Sequence, residues 1–324
     1  MPVLSGRDPA AVRRAAALLA AGELVAFATE TVYGLGARAD DDAAVARIYA
    51  AKGRPSGHPL IVHVADAAAA QAFAAVLNTD AQRLIAAFWP GPLTVIVPRA
   101  PGMGAAAAGG QDSIGLRMPA HPVALALLRE AALRGVAGVA APSANRFGRV
   151  SPTQAAHVVQ EFGPALTVLD GGACEVGIES AIVDCTRAQP ALLRPGQLGR
   201  QRIEAVLGRP LAAPDAASPR ASGTLESHYA PAAPVHLFDA GAALPGGAHA
   251  EAGGVVGVYS RVAPAAGKAW IHRAMPADAA TAAHELFAVL REFDAAGVSA
   301  IWVESPPPDP AWDGVRDRLQ RAAA

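Results

Sequence analysis

An α/β architecture in two parts is what this sequence predicts, and three observations predict it. Short apolar runs alternate with capped, amphipathic stretches from about residue 8 to 208, the pattern of strands and helices layered around a largely buried sheet. At 324 residues and 52% hydrophobic content the chain is long enough for two separate cores. Between the two parts, residues 209–224 are rich in Pro, Ala and Ser without periodicity, which reads as a linker. The expected boundaries are 1–208 for the first domain, 209–232 for a linker or lid, and 233–324 for a smaller α/β domain.

Each element has a local reason. Asp8-Pro9 caps a helix over 10–21, with Pro at its first position and Gly22 at its end. An apolar strand over 24–28 follows and runs directly into polar Thr29 to Tyr33. Helix 42–51 precedes a second buried strand at 60–64, and helices are expected over 66–76 and 80–88. Pro90-Gly91-Pro92 turns the chain into a strand at 93–97. Further strands are expected at 113–117, 138–141, 166–169, 180–184 and 191–194, with helices over 122–134, 153–161 and 199–207. Past the linker, strands at 235–238, 255–259 and 300–303 and helices over 278–295 and 312–321 complete the second unit. No internal repeat is present.

Composition excludes several classes. The net charge is −1 and the pI about 6.8, so no global basic field draws the chain to nucleic acid. Two cysteines, Cys174 and Cys185, provide neither a zinc cluster nor a secreted disulfide framework, and reduced thiols in a cytoplasmic protein are expected. No apolar run reaches the roughly 20 residues of a membrane span. The N-terminal stretch, with Arg7, Asp8, Arg13 and Arg14, reads as an amphipathic helix rather than a signal peptide.

Chemistry concentrates at strand ends. Thr29-Glu30-Thr31-Val32-Tyr33-Gly34-Leu35-Gly36 gathers hydroxyls, a carboxylate and glycines where α/β folds place their sites, although a polar turn has the same composition. Of 27 Lys plus Arg only Lys52 and Lys268 are lysine, so Lys52 in Lys52-Gly53-Arg54-Pro55 is conspicuous. A point charge beside an arginine fork suits phosphate; a solvated loop suits it equally. His58 and His63 bracket an apolar strand and face opposite sides, which rules out one shared metal. Ser113 and Arg117 share a face of their strand. Arg117 at its end needs an anionic partner, either a bound carboxylate or an internal salt bridge. Pro142-Ser143-Ala144-Asn145 leaves another strand, and Ser151-Pro152-Thr153 precedes a helix, where an anion site and plain capping both fit. Glu179-Ser180 opens one strand and Arg194-Pro195-Gly196 closes the next. Neither a Walker loop nor Gly-x-Gly-x-x-Gly occurs.

Taken together, these motifs resemble the YrdC-like domain of threonylcarbamoyl-AMP synthases. The series comprises Thr-x-Thr-x-Tyr-Gly-Leu, Lys-x-Arg, Pro-Leu-Ile-Val-His, Arg-Met-Pro, Ser-x-Asn, Ser-Pro-Thr, Glu-Ser and Arg-Pro-Gly, in uninterrupted order. The linker, His228-Tyr229-Ala230-Pro231 and the C-terminal unit resemble the long form of the family. Two departures stand out: His58 where many members have Asn, and Ser222-Gly223-Thr224 where Ser/Ala-Pro-Gly is usual.

The resemblance implies a YrdC-like twisted sheet flanked by helices, with a Rossmann-like C-terminal α/β domain. It implies a nucleotidyltransferase that makes L-threonylcarbamoyl-AMP and pyrophosphate from L-threonine, bicarbonate and ATP, for modification of tRNA by a downstream complex. Lys52 and Arg54 carry catalysis in this reading. ATP contacts fall to Lys52, Arg54, His58, Ser113, Ser143, Asn145, Ser151, Arg194 and Tyr229, and threonine contacts to Thr31, His63, Arg117, Ala141 and Ser180. Mg²⁺ is expected on the ATP phosphates with no protein metal site assigned, Glu30 and Glu179 being the only carboxylates considered for it. Weak binding of tRNA or double-stranded RNA is a further expected contact, and no membrane is expected. Two other functions fit less well: an RNA-binding module, disfavoured by a charge of −1 and 5% aromatics, and a carbamoyltransferase of hydrogenase maturation, whose zinc-finger cysteines are absent.

Overall fold

The computed structural model describes residues 3–242, 254–263 and 270–324. Two compact units form: one runs to Phe147 and resumes over Ser151–Thr224, the other comprises Gly148–Val150 and Leu225–Ala324. The expected linker is therefore divided at Thr224. Its first part has no regular element yet belongs to the first unit: Leu211 is buried, and Ala212 exchanges main-chain bonds with Pro190 and Leu192.

In the first unit the order is β1 (Val3–Ser5), α1 (Pro9–Ala20), β2 (Val25–Phe27), β3 (Gly34–Arg38), α2 (Asp42–Lys52), β4 (Ile61–His63), α3 (Thr79–Phe88) and β5 (Leu93–Pro98). There follow β6 (Ser113–Arg117), α4 (Pro122–Ala132), β7 (Val139–Ala140), α5 (Ala155–Phe162), β8 (Thr167–Asp170), β9 (Ala181–Asp184), β10 (Ala191–Arg194) and α6 (Arg200–Leu207). The strands join one mixed sheet in the order β1-β8-β2-β3-β7-β4-β6-β5-β9-β10. Alternation along β2 shows how helices cover both faces. Val25 and Phe27 join the cluster formed with α1 and α4, whereas Ala26 joins the cluster with α2, α3, α5 and α6. Side-chain caps start four of these helices where the sequence placed them: Asp8 accepts from Ala10 N–H, Asp41 from Ala43 and Ala44, Asn78 from Ala81, and His121 from Val123.

Three elements differ from the sequence-based expectation. The helix expected over 66–76 is a single 3₁₀ turn, Ala69–Ala72. Its alanines give no apolar stripe beyond Ala70 and Phe73, and the chain then leaves helical bonding, with Ala75 N–H donating to Pro98 O. Gly34 to Arg38, expected in a loop, is the strand β3, antiparallel to β2. Its glycines hid it, because glycine disfavours strands, yet packing demands them: a Cβ on Gly36 would meet Phe27 at 2.8 Å and Val139 at 2.9 Å. The helix expected from 153 starts at Ala155, behind an N-cap Gln154 that makes no side-chain bond.

The second unit contains β11 (Val235–Phe238), β12 (Val256–Ser260), β13 (Trp270–Ala274), α7 (Ala279–Ala295), β14 (Ala300–Glu304) and α8 (Asp313–Ala322). Its four strands are all parallel in the order β11-β14-β12-β13, the Rossmann-like arrangement expected; β13 was not read from the sequence. Phe287 and Phe293 of α7 are fully buried, and Gly257 on β12 lets the Phe293 ring approach closely.

The crowding at Gly36 makes a stability prediction. Gly36→Ala should lower the unfolding free energy by about 1–3 kcal/mol, as overpacked cores do. Urea denaturation measures it, and an unchanged midpoint would show that Phe27 and Val139 yield without cost.

Candidate functional site

The chain from β2 to β3 is shaped by one hydroxyl. Thr29 Oγ1 accepts from the N–H groups of Thr31 and Val32, at 3.2 Å each, and lies 2.9 Å from Thr31 Oγ1. This local bonding turns the backbone and presents Glu30 and Thr31 side by side. Tyr33 anchors the turn by donating to Asp170 Oδ1 at 2.8 Å; burial and that carboxylate push its phenol far up, so it stays protonated.

Lys52 is not a loop residue. It ends α2, with Gly53 behind it in the left-handed region (φ 64°), and is only 3% exposed. Its ammonium donates to the carbonyls of Ser143, at 2.6 Å, and of Asn145. The two stretches that stood out in the sequence thus meet in space. Burial, and next the charge of Arg54, push the Lys52 pKa well down. Arg54 donates to His58 O and to Pro59 O, the latter at 3.0 Å, and lies over the Phe147 ring at 5.5 Å. The His58 imidazole meets the edge of that ring, and burial and then Arg54 lower its pKa.

Arg194 ends β10 and donates twice to Ser180 O, at 3.1 and 2.9 Å, and once to Ser222 O at 2.8 Å. Ser222 Oγ also lies 3.5 Å from Arg54, so the 209–224 stretch touches both arginines. Ser180 Oγ pairs with Thr94 Oγ1 at 2.8 Å. Ser113 lines a small open pocket with Thr94, Gln111 and Ser222. Ser151 does not cap α5. Its hydroxyl donates to Glu179, the residue before Ser180.

The internal partner for Arg117, one of the two alternatives read from sequence, is present. Arg117 Nη2 donates to Glu30 Oε1 at 2.6 Å, Nη1 to Thr31 Oγ1 at 2.8 Å and Nε to Gly91 O at 3.2 Å. With three of its five N–H groups so used, one on each terminal nitrogen has no protein partner among the described residues. His63 is 3% exposed beside it; burial first, and the Arg117 charge second, push its pKa down to about 3. Ala141, 5% exposed, joins β4 by donating to Ile61 O.

Thirteen of the expected site residues therefore belong to the first unit. Tyr229 belongs to the second, with φ 63°, its ring stacked on Phe287 at 5.4 Å and under Arg318 at 5.3 Å. Sequence reasoning missed Thr94, Gln111, Phe147 and the contact role of Ser222. Thr94 carried one faint signal, a hydroxyl inside the apolar run Leu93-Thr94-Val95-Ile96-Val97. Among the described residues no group of three or more His, Cys, Asp or Glu is placed to hold a metal, and no helix is long and apolar enough to cross a membrane.

Comparison with known proteins places this geometry. Residues 17–196 match the Sua5/YciO/YrdC family model, described as "Telomere recombination", and residues 198–324 match the C-terminal domain model of threonylcarbamoyl-AMP synthase. The chain belongs to the threonylcarbamoyl-AMP synthase family. It is 39% identical to the threonylcarbamoyl-AMP synthase of Bacillus subtilis, over 99% of this chain and 94% of the relative. It is 43% identical to that of Pyrococcus abyssi, over 70% of this chain and 68% of the relative. The crystal structure of P. abyssi Sua5 complexed with L-threonine superposes with a TM-score of 0.88 at 35% identity, covering 98% of this chain and 95% of that one. Another P. abyssi Sua5 structure, of a double alanine variant, also gives 0.88.

Neutral, buried His63 makes folding pH-dependent. Between about pH 6.5 and 3 the unfolded chain binds the proton that folded His63 refuses, so stability falls as pH drops through this window. The slope due to this group approaches 1.4 kcal/mol per pH unit, on the order of one proton. His63→Gln should flatten the measured slope by that proton; an identical slope would show that folded His63 titrates normally.

Proposed function

We propose that the chain forms L-threonylcarbamoyl-AMP and pyrophosphate from L-threonine, bicarbonate and ATP. The observation that carries this reading is the convergence of Lys52, Arg54 and Arg194, all buried, with Ser143, Asn145, Ser180 and Ser222 at one set of strand and helix ends. Such a site suits a polyphosphate. The names of the relatives, and the L-threonine complex of one of them, supply the identity of the substrates. They give no support to hydrogenase maturation or primary RNA binding.

The reaction needs charge control more than a protein nucleophile. The threonine amine takes up bicarbonate carbon with loss of water, giving an N-carboxylate. One oxygen of that carboxylate attacks the α-phosphorus, and the bond to the bridging oxygen breaks to release pyrophosphate. Two anions meet in that step, so fixed cations that need no reorganisation lower the barrier. Lys52 and Arg54 are the catalytic pair in this reading. Arg194, His58, Ser113, Ser143, Asn145 and Ser151 hold the nucleotide. Arg117, Thr31, His63, Ser180 and Ala141 hold threonine.

Mg²⁺ would be carried on the ATP phosphates, where it would supply charge neutralisation. Of the two carboxylates considered as protein ligands, Glu30 is paired with Arg117 through Oε1 alone, and Glu179 accepts from Ser151. The product serves a downstream complex that modifies tRNA, and weak contact with RNA and a cytoplasmic location complete the reading.

Three measurements test it. Mass spectrometry of a reaction with ATP, threonine and labelled bicarbonate should show label in a threonylcarbamoyl adenylate, and its absence would refute the assignment. Lys52→Ala and Arg54→Ala should each slow pyrophosphate release on the order of 10²-fold or more, with near-wild-type rates removing the residue from catalysis. Trypsin cleavage at exposed Arg220, in the stretch that touches Arg54 and Arg194, should slow when ATP and threonine are both bound. Equal cleavage with and without substrates would show that this segment takes no part in covering the site.

A further inference from the structure

Glu30 carries a chemical demand that the roles assigned so far do not meet. The residue is 5% exposed, and its main chain is fixed by the bond from Val176 N–H to Glu30 O at 2.7 Å. Oε1 is paired with Arg117, but Oε2 is buried and has no hydrogen-bond partner. A shielded carboxylate oxygen left unpartnered is costly and rare in folded proteins. Neighbouring groups do not answer it. Burial lowers the pKa of His121 and raises that of Cys174, so both are neutral near pH 7. Arg117 is itself spread over Glu30, Thr31 and Gly91.

What sits beside this oxygen defines its ligand. The terminal nitrogens of Arg117 each keep one N–H without a protein partner among the described residues, and Thr31 adds a hydroxyl held by the same guanidinium. Donors for a carboxylate therefore lie next to an acceptor that lacks a cation. The two charged groups of an α-amino acid are separated by one carbon and fit such an adjacent pair. We infer that Glu30 Oε2 receives the α-ammonium group of the amino-acid substrate while Arg117 holds its carboxylate. Glu30 then has two tasks, orienting Arg117 through Oε1 and reading the amine through Oε2. The inference rests on the proposal that threonine binds at Arg117, and it adds a residue to which that proposal gave no substrate contact.

The test separates the two tasks of Glu30 by removing the amine from the ligand. Binding of L-threonine and of 3-hydroxybutanoate, its deaminated analogue, is measured calorimetrically for the full-length wild type, Glu30→Gln and Glu30→Asp. Wild type should prefer threonine on the order of 10²-fold, the scale set by an unpaired buried charge. In Glu30→Gln, threonine affinity should fall by about that factor while the analogue binds as before, so the preference collapses. Glu30→Asp, which keeps the charge on a shorter arm, should retain an intermediate preference; it also serves if the glutamine variant does not fold. Equal loss of both ligands would show that Glu30 only orients Arg117 and would overturn the inference. So would an unchanged preference. A wild type that binds ATP but not threonine would refute the underlying substrate assignment instead, a result distinct from either.

Discussion

The first unit is organised around the cost of keeping cations out of water. Lys52, Arg54, Arg117 and Arg194 are each at most 6% exposed. A buried charge without compensation is unfavourable by several kcal/mol, so the surrounding chain must supply oxygen. It does so largely with carbonyls: Ser143 and Asn145 for Lys52, His58 and Pro59 for Arg54, Ser180 and Ser222 for Arg194. Those of Ser143 and Asn145 follow β7, those of His58, Pro59 and Ser180 precede β4 and β9, and that of Ser222 lies in an irregular stretch, so all are carbonyls that no ladder engages. The loops are thus shaped by the cations they solvate. Carbonyls are dipoles and do not cancel a positive charge, and burial, with the Arg54 charge next, keeps the Lys52 pKa depressed despite its two bonds.

The scaffold keeps these groups in register by close packing more than by length of element. β4 has three residues and β7 two, yet both are central in the sheet, and His63, Arg117 and Ala141 follow from them. Parallel pairing of β4 with β6 sets His63 opposite Arg117, so one strand register fixes two residues of the site. Gly36 in β3 and Gly138 before β7 admit the rings of Phe27 and Phe73 where a Cβ would fall within 2.8 Å of them. The turn at Thr29 needs no glycine, since its hydroxyl satisfies two backbone N–H groups that no strand partner reaches.

Much of this was legible in the sequence, for identifiable reasons. Period-2 and period-3.6 patterns placed most strands and helices to within one or two residues, and residues such as Asp8 marked helix starts. The motif series gave the family. What escaped depended on contacts between distant segments. β3 is a strand only because Phe27 and Val139 crowd its glycines, and residues 66–76 fail as a helix because their backbone bonds to the end of β5. The choice between a ligand and an internal partner for Arg117 turned on Glu30, 87 residues away, and no local pattern reports such a pair. Ser151 looked like a cap by position, but Glu179 claims its hydroxyl.

The same energetic constraint explains how the site can wait for substrate without collapsing. A carboxylate in place of each carbonyl would neutralise the cations and stabilise the empty protein, but every incoming phosphate would then have to break a full ion pair. Where a carbonyl or hydroxyl oxygen satisfies the hydrogen bond, the positive charge is not cancelled, and an arriving anion gains Coulomb energy against it. Ser222 illustrates the exchange. Its carbonyl on Arg194 and its hydroxyl near Arg54 occupy the donors with a neutral group on a segment lacking regular structure. Displacing such a group costs one hydrogen bond, on the order of 1 kcal/mol net, whereas a charge-assisted bond to phosphate contributes roughly twice as much. Arg117 holds a carboxylate, that of Glu30. There the ligand is an amino acid in our reading, and its own ammonium can engage the acidic partner rather than displace it.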